Sequence, residues 1–183
     1  MSLSRKVYAP LPPYADERRF ADGCCDELAP YFHIEREVPL THWTKVTLIV
    51  DAVMRPRDPT PWKDDQPIFA VEFKERSKST GTKFDTAWAA QSVHYTNSMW
   101  DAPMSHRLRV FTCPGFMHVT QVYGETTERY VSRLLWQLGV GELAKLEREG
   151  WTLLAQGNHV LWSERRGVQE GASWSVTPKV GSR

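Results

Sequence analysis

Residues 67 to 85 read PIFAVEFKERSKSTGTKFD, an apolar run in which a carboxylate, Glu72, and an amine, Lys74, stand two positions apart. Side chains alternate between the faces of a strand, so Phe69, Val71 and Phe73 share one face while Ala70, Glu72 and Lys74 share the other. One face of such a strand suits a core, and the other carries groups able to do chemistry.

Upstream, KVTLIVDAVMRP places Val46, Leu48 and Val50 on one side of a strand and Thr47, Ile49 and Asp51 on the other. The intervening RPRDPTPWKDDQP is a loop by its prolines and charges, so the two strands are expected to be antiparallel neighbours. HIEREVPL alternates as a strand before them. ADERRFADGCCDELAPYF has apolar residues near helical spacing and stops against Pro30, which predicts a helix from Ala15 to about Tyr31. Downstream, the spacing of Ala87, Ala90, Gln91 and His94 predicts a second helix, followed by a strand at RLRVFTC. TTERYVSRLLWQL and GELAKLEREG are expected to be helices, and WTLLAQGNHVLWSE a hairpin turning at Gly157 and Asn158.

The chain has 183 residues, enough for one main domain with an ample core. Its net charge of +1 announces no acidic partner, so any nucleic-acid surface must be local. No apolar run approaches a membrane span, and MSLSRKVYAPLPPYADERRF lacks the apolar core of a signal peptide. These features predict a soluble, cytoplasmic protein with no membrane partner. Cys24, Cys25 and Cys113 include an adjacent pair and no CxxC spacing, so free thiols are expected, with neither disulfides nor an iron–sulfur cluster.

The combination of VD at 50 to 51, EFK at 72 to 74, and QSVHY at 91 to 95 resembles the signature of the PD-(D/E)XK nucleases. Gln91 and Tyr95 match the QxxxY motif of the RecB-like and Cas4-like exonuclease branch. The resemblance covers roughly residues 27 to 112. Val50 stands where the signature has proline. A lone ExK triplet is common on solvated strands; the weight lies in Asp51 ending one apolar strand and ExK lying on the next, with QxxxY on the following helix.

The resemblance implies an α/β fold with a restriction-endonuclease-like core, a mixed central sheet flanked by helices. The expected division is an extended arm at 1–14, the nuclease core at 15–125, a helix-plus-hairpin extension packed on it at 126–165, and a loose tail at 166–183. It further implies a Mg²⁺- or Mn²⁺-dependent deoxyribonuclease, exonuclease-like, acting in recombination, repair or phage DNA processing. Asp51 and Glu72 would hold the metal, with the carbonyl of Phe73 adding an oxygen. Hard cations take oxygen ligands, and a metal supplies both an activated water and charge neutralisation. Lys74 would sit near the attacking water. Gln91, four residues from Tyr95 on one helix face, would fix the lysine or a metal-bound water, and Tyr95 would touch a substrate phosphate.

Glu27 is the favoured further acidic ligand, with Asp26, Glu35 and Glu37 competing. Arg76, Lys78 and Lys83, interleaved with hydroxyl side chains, are candidate phosphate contacts; a solvated turn is the alternative. The six histidines form no metal-binding grouping. DNA is the expected partner ahead of RNA, and a homo-oligomer is among the states the resemblance allows. The competing function is a non-catalytic nucleic-acid-binding or protein-interaction domain on the same fold.

Overall fold

A computed structural model describes residues 6–12, 14–62, 67–74, 87–100, 108–115, 134–155 and 159–169. Helix α1 spans Glu17–Leu28 and starts where Asp16 accepts a hydrogen bond from the Arg19 amide at 2.8 Å, satisfying a free donor of the first turn. It buries Phe20, Ala21, Cys24, Cys25 and Leu28 on one stripe. Strands β1 (Phe32–His42), β2 (Thr47–Pro56) and β3 (Phe69–Lys74) follow as an antiparallel meander. Helix α2 (Ala87–Thr96) leads through the two-residue strand β4 (Ser98–Met99) to β5 (Arg109–Pro114), which pairs with β3 in parallel. The remaining strands are β6 (Val140–Leu146), β7 (Gly150–Ala155), β8 (His159–Ser163) and β9 (Gly167–Val168).

Among the described residues all nine strands join one mixed sheet in the order β4-β1-β2-β3-β5-β6-β7-β8-β9. α1 covers one face, where Phe20 and Leu28 meet Phe69, Val71, Phe73, Phe111 and Trp151. α2 covers the other, where Trp88 and Tyr95 meet Val38, Val50, Ala70 and Val110. Truncating a fully buried side chain such as Leu28 should cost about 2–5 kcal/mol.

The α/β class and the antiparallel β1–β2–β3 run agree with the sequence reading. The segment GELAKLEREG does not: it forms β6, lying between β5 and β7, instead of a helix. Its residues favour helix in isolation, but both neighbouring strands claim its backbone, and tertiary pairing overrides that preference. Gly141 shows the fit: a Cβ there would stand 2.5 Å from the Phe111 ring and 2.8 Å from the Leu154 carbonyl oxygen. Among the described residues beyond 126, β6, β7, β8 and β9 continue the central sheet. Of the helix expected at TTERYVSRLLWQL, the described residues Leu134–Gln137 are helical. The hairpin β7–β8 is present, while its turn at Gly157 and Asn158 and the chain beyond Gln169 lie outside the described residues.

Within the amino-terminal segment, residues 7–9 are attached to β6. Tyr8 bridges Leu146, with Ala9 N–H donating to Lys145 and Glu147 N–H to Val7. Lys6 Nζ and the Tyr8 hydroxyl reach the two carboxylate oxygens of the buried Glu142 at 2.5 and 2.6 Å. No helix among the described residues is long and apolar enough to cross a membrane.

Candidate functional site

The site forms where the β1–β2 ribbon changes face. Between the pairs Arg36–Ala52 and Val38–Val50 the ladder skips Glu37 and Asp51, and Glu37 takes φ 52°, a left-handed conformation costly for a side-chain-bearing residue. Before this point Phe32, Ile34, Ala52 and Met54 pack toward α1; beyond it Val38, Leu40 and Val50 pack toward α2. Arg36 holds the distortion from the β1 side. Its Nε donates to the Asp51 carbonyl at 3.0 Å and its guanidinium pairs with Asp22 on α1 at 2.7 Å.

Asp51 lies one residue beyond the Ala52–Val71 pair, opposite Glu72 on β3. Its Oδ2 accepts the Phe73 amide at 2.8 Å. Glu72 is 1% exposed, and among the described residues neither of its oxygens accepts a well-aligned hydrogen bond. Its counter-charge is Lys74, whose Nζ stands 2.9 Å from Glu72 Oε1 and 2.8 Å from Glu17 Oε1. A buried carboxylate left without hydrogen bonds is expensive, and such exceptions concentrate where a ligand completes the set.

The electrostatics follow. Burial, and then the neighbouring Asp51, push the Glu72 carboxyl up to about 7 against the opposing pull of Lys74. Burial raises the Asp51 carboxyl as well, opposed by the Phe73 amide and by Lys74. Burial works against the charge on Lys74, but Glu72 and Glu17 outweigh it and leave the ammonium raised to about 12. The site thus holds a fixed cation beside two carboxylates that share a shortage of solvation.

Behind Glu72, Gln91 Nε2 donates to the Tyr95 hydroxyl at 2.7 Å, and that hydroxyl donates to the Ile49 carbonyl at 2.6 Å. Tyr95 is 1% exposed, and its single proton is committed to Ile49, which leaves Glu72 without it. Burial and the nearby Glu72 charge raise the phenol's pKa. The pair braces β2 against α2 next to the carboxylates.

The sequence candidates are thus partly brought together. Asp51, Glu72, Phe73, Lys74, Gln91 and Tyr95 converge, although the Phe73 side chain itself is in the core. Glu27 is elsewhere: its Oε2 accepts from Lys145 Nζ at 2.6 Å and Trp151 Nε1 at 2.7 Å. It sits ten residues along α1 from Glu17, roughly 15 Å of helix rise. Glu17, in the first turn, is the α1 carboxylate that reaches Lys74. Arg36 was also missed, having no local signal. Of the competitors of Glu27 as an acidic ligand, Glu35 pairs with Arg55 at 2.8 Å. Arg76, Lys78 and Lys83 lie outside the described residues.

Asp51 and Glu72 suit a hard divalent cation. They offer carboxylate oxygens, and among the described residues both oxygens of Glu72 lack aligned donors. Among the described residues no three His, Cys, Asp or Glu side chains gather closely enough to form a cage. Mg²⁺ commonly binds through one or two carboxylates and retains waters, so two suffice. Cys24, Cys25 and Cys113 are buried as free thiols.

Compared with known protein families, curated proteins and solved structures, the chain matches none.

Proposed function

We propose that this chain is a metal-dependent nuclease with a PD-(D/E)XK-type core, hydrolysing phosphodiester bonds of DNA in an exonuclease-like manner. The observation that carries the reading is the convergence of Asp51, Glu72 and Lys74 on adjacent strands, with Glu72 buried and lacking aligned hydrogen bonds. The mixed sheet between two helices supports it as well. Asp51 and Glu72 would hold Mg²⁺ or Mn²⁺, and the ion supplies charge that activates water and neutralises phosphoryl oxygens. Lys74 presents a permanent positive charge beside the carboxylates, placed to orient the attacking water or stabilise the developing anion. Gln91 and Tyr95 keep the ribbon carrying Asp51 in register with α2.

One observation favours a second reading. Lys74 is already neutralised from two sides, by Glu72 and by Glu17. Such a closed ion-pair network would suit a non-catalytic nucleic-acid-binding or protein-interaction domain.

The test is cleavage of linear and circular, single- and double-stranded DNA, and of RNA, with Mg²⁺, Mn²⁺ or EDTA. Asp51→Asn, Glu72→Gln and Lys74→Ala should each lower the rate at least about 100-fold while remaining folded by circular dichroism. An endonuclease also cuts circles, which have no ends, so cutting confined to linear DNA identifies exonuclease action. Pure wild type that cuts no substrate in either metal would put the binding-domain reading first.

A further inference from the structure

The β1–β2 ribbon continues past the candidate site and ends in an exposed tip. Trp43 is 70% exposed, Val46 55% and Ile49 60%, and Met99 on the adjoining β4 is 57% exposed. Ile49 pairs with Pro39, and Thr41 pairs with both Thr47 and Met99, so Thr47, Ile49 and Met99 share the outward face of the ribbon. Neither Val38–Val50 nor Ala87–Trp100, the two segments that build this end, contains an aspartate or glutamate. Lys45 stands between Trp43 and Val46, with exposed Thr47 beyond it.

The tip is held rigid. Trp43 N–H donates to the Asn97 carbonyl at 3.2 Å, His42 N–H to Val46 at 2.9 Å, and Lys45 N–H to His42 at 2.8 Å. The buried His42 ring lies 5.2 Å from that of His94 on α2, and its Nδ1 is 2.7 Å from the Thr44 hydroxyl. Lys45 takes φ 68° to close the turn. A large indole on a fixed turn therefore faces solvent, and fixing a binding side chain in advance reduces the entropy lost on binding.

We infer that this tip is a docking surface for single-stranded DNA, with Trp43 stacking on a base and Lys45 and Thr47 meeting the phosphates. The choice of DNA rests on the nuclease reading. An exposed aromatic beside a cationic and a hydroxyl side chain, on segments whose own sequence carries no aspartate or glutamate, fits the pattern that binds single strands without reading sequence. Continuity supports it: Thr47 opens β2, the strand that carries Asp51 four residues further on, roughly 14 Å along it.

The test uses the full chain carrying Asp51→Asn, in EDTA, with a fluorescein-labelled 15-nucleotide oligothymidylate followed by anisotropy. Adding Trp43→Ala should weaken binding roughly ten-fold or more, Trp43→Phe should recover part of the loss, and Lys45→Ala should reduce the salt slope by about one. Unchanged melting temperatures establish that the variants are folded. Equal affinity of the Trp43→Ala protein and its parent overturns the inference, as does a parent that binds no oligonucleotide. Sedimentation that shows wild-type self-association abolished by Ile49→Asp, with DNA affinity intact, overturns it in favour of a second copy of the chain. Because no cleavage is read, the two proposals fail separately: Trp43-dependent binding by a chain that cuts nothing upholds this inference and rejects the nuclease.

Discussion

Asp51 Oδ2 accepts the backbone amide of Phe73 at 2.8 Å, so the carboxylate on β2 is locked to the strand that carries Glu72 and Lys74. One oxygen of Asp51 thus maintains the junction between the strands while the carboxyl group stays beside Glu72. Asp51→Asn keeps an acceptor for the amide, whereas Asp51→Ala leaves that amide without one. Urea denaturation should show Asp51→Ala less stable than Asp51→Asn by about 1–3 kcal/mol. Equal stability of the two would show that the Phe73 bond contributes nothing.

Glu72 should make the metal-free protein less stable as pH rises. Its folded-state pKa is raised from 4.5 to about 7, so the folded chain holds this proton more tightly than the unfolded one. The carboxylate carries no penalty below about pH 4, the penalty grows between the two values, and it is complete above pH 7. In EDTA, Glu72→Gln should therefore stabilise the protein by up to roughly 3 kcal/mol at pH 8 and by almost nothing at pH 4. Denaturation at both pH values is the check, and a variant less stable than wild type at pH 8 would refute the account.

Lys74 provides the counter-charge for that buried group, 2.9 Å from Oε1. Lys74→Met removes it and leaves Glu72 uncompensated, at a cost of about 3–5 kcal/mol at pH 8. At pH 5 Glu72 takes up a proton and the cost should shrink. The double variant Glu72→Gln/Lys74→Met should recover much of the stability. Thermal melts of the three proteins at both pH values measure this coupling.

Glu142 tests the amino-terminal arm. Lys6 and Tyr8 occupy its two oxygens, and Glu142 is in register with Thr112, which is in turn in register with Glu72. Tyr8→Phe should cost about 1–3 kcal/mol by leaving one buried oxygen without its donor. Hydrogen exchange should then rise at the amides of Ala9 and Glu147, which bond the arm to β6. Unchanged exchange there would show that the arm is held by its backbone alone.

Much of the architecture could be read locally. β2, β3 and the β7–β8 hairpin announce themselves through alternation or short apolar runs bounded by turn residues, and α1 through its apolar stripe. The ExK triplet and Asp51 were legible because strand periodicity alone places Glu72 and Lys74 on one face. Gln91 and Tyr95 followed from helix periodicity. β6 was illegible because its side chains are buried by partners distant in sequence: Glu142 by Lys6 and Tyr8, Lys145 by Glu27. Read alone, those charges look like a solvated helix face.

The sequence by itself determined that the segments of β2 and β3 become strands and which carboxylates and lysine lie on them, since both depend on spacing along a few residues. Only the tertiary structure decided that Glu17 rather than Glu27 meets Lys74, that Arg36 and the left-handed Glu37 turn the ribbon at Asp51, and that β6 joins the sheet. Those outcomes depend on which distant surfaces meet and on how burial raises the cost of charge. Neither quantity is carried by any short stretch of the chain.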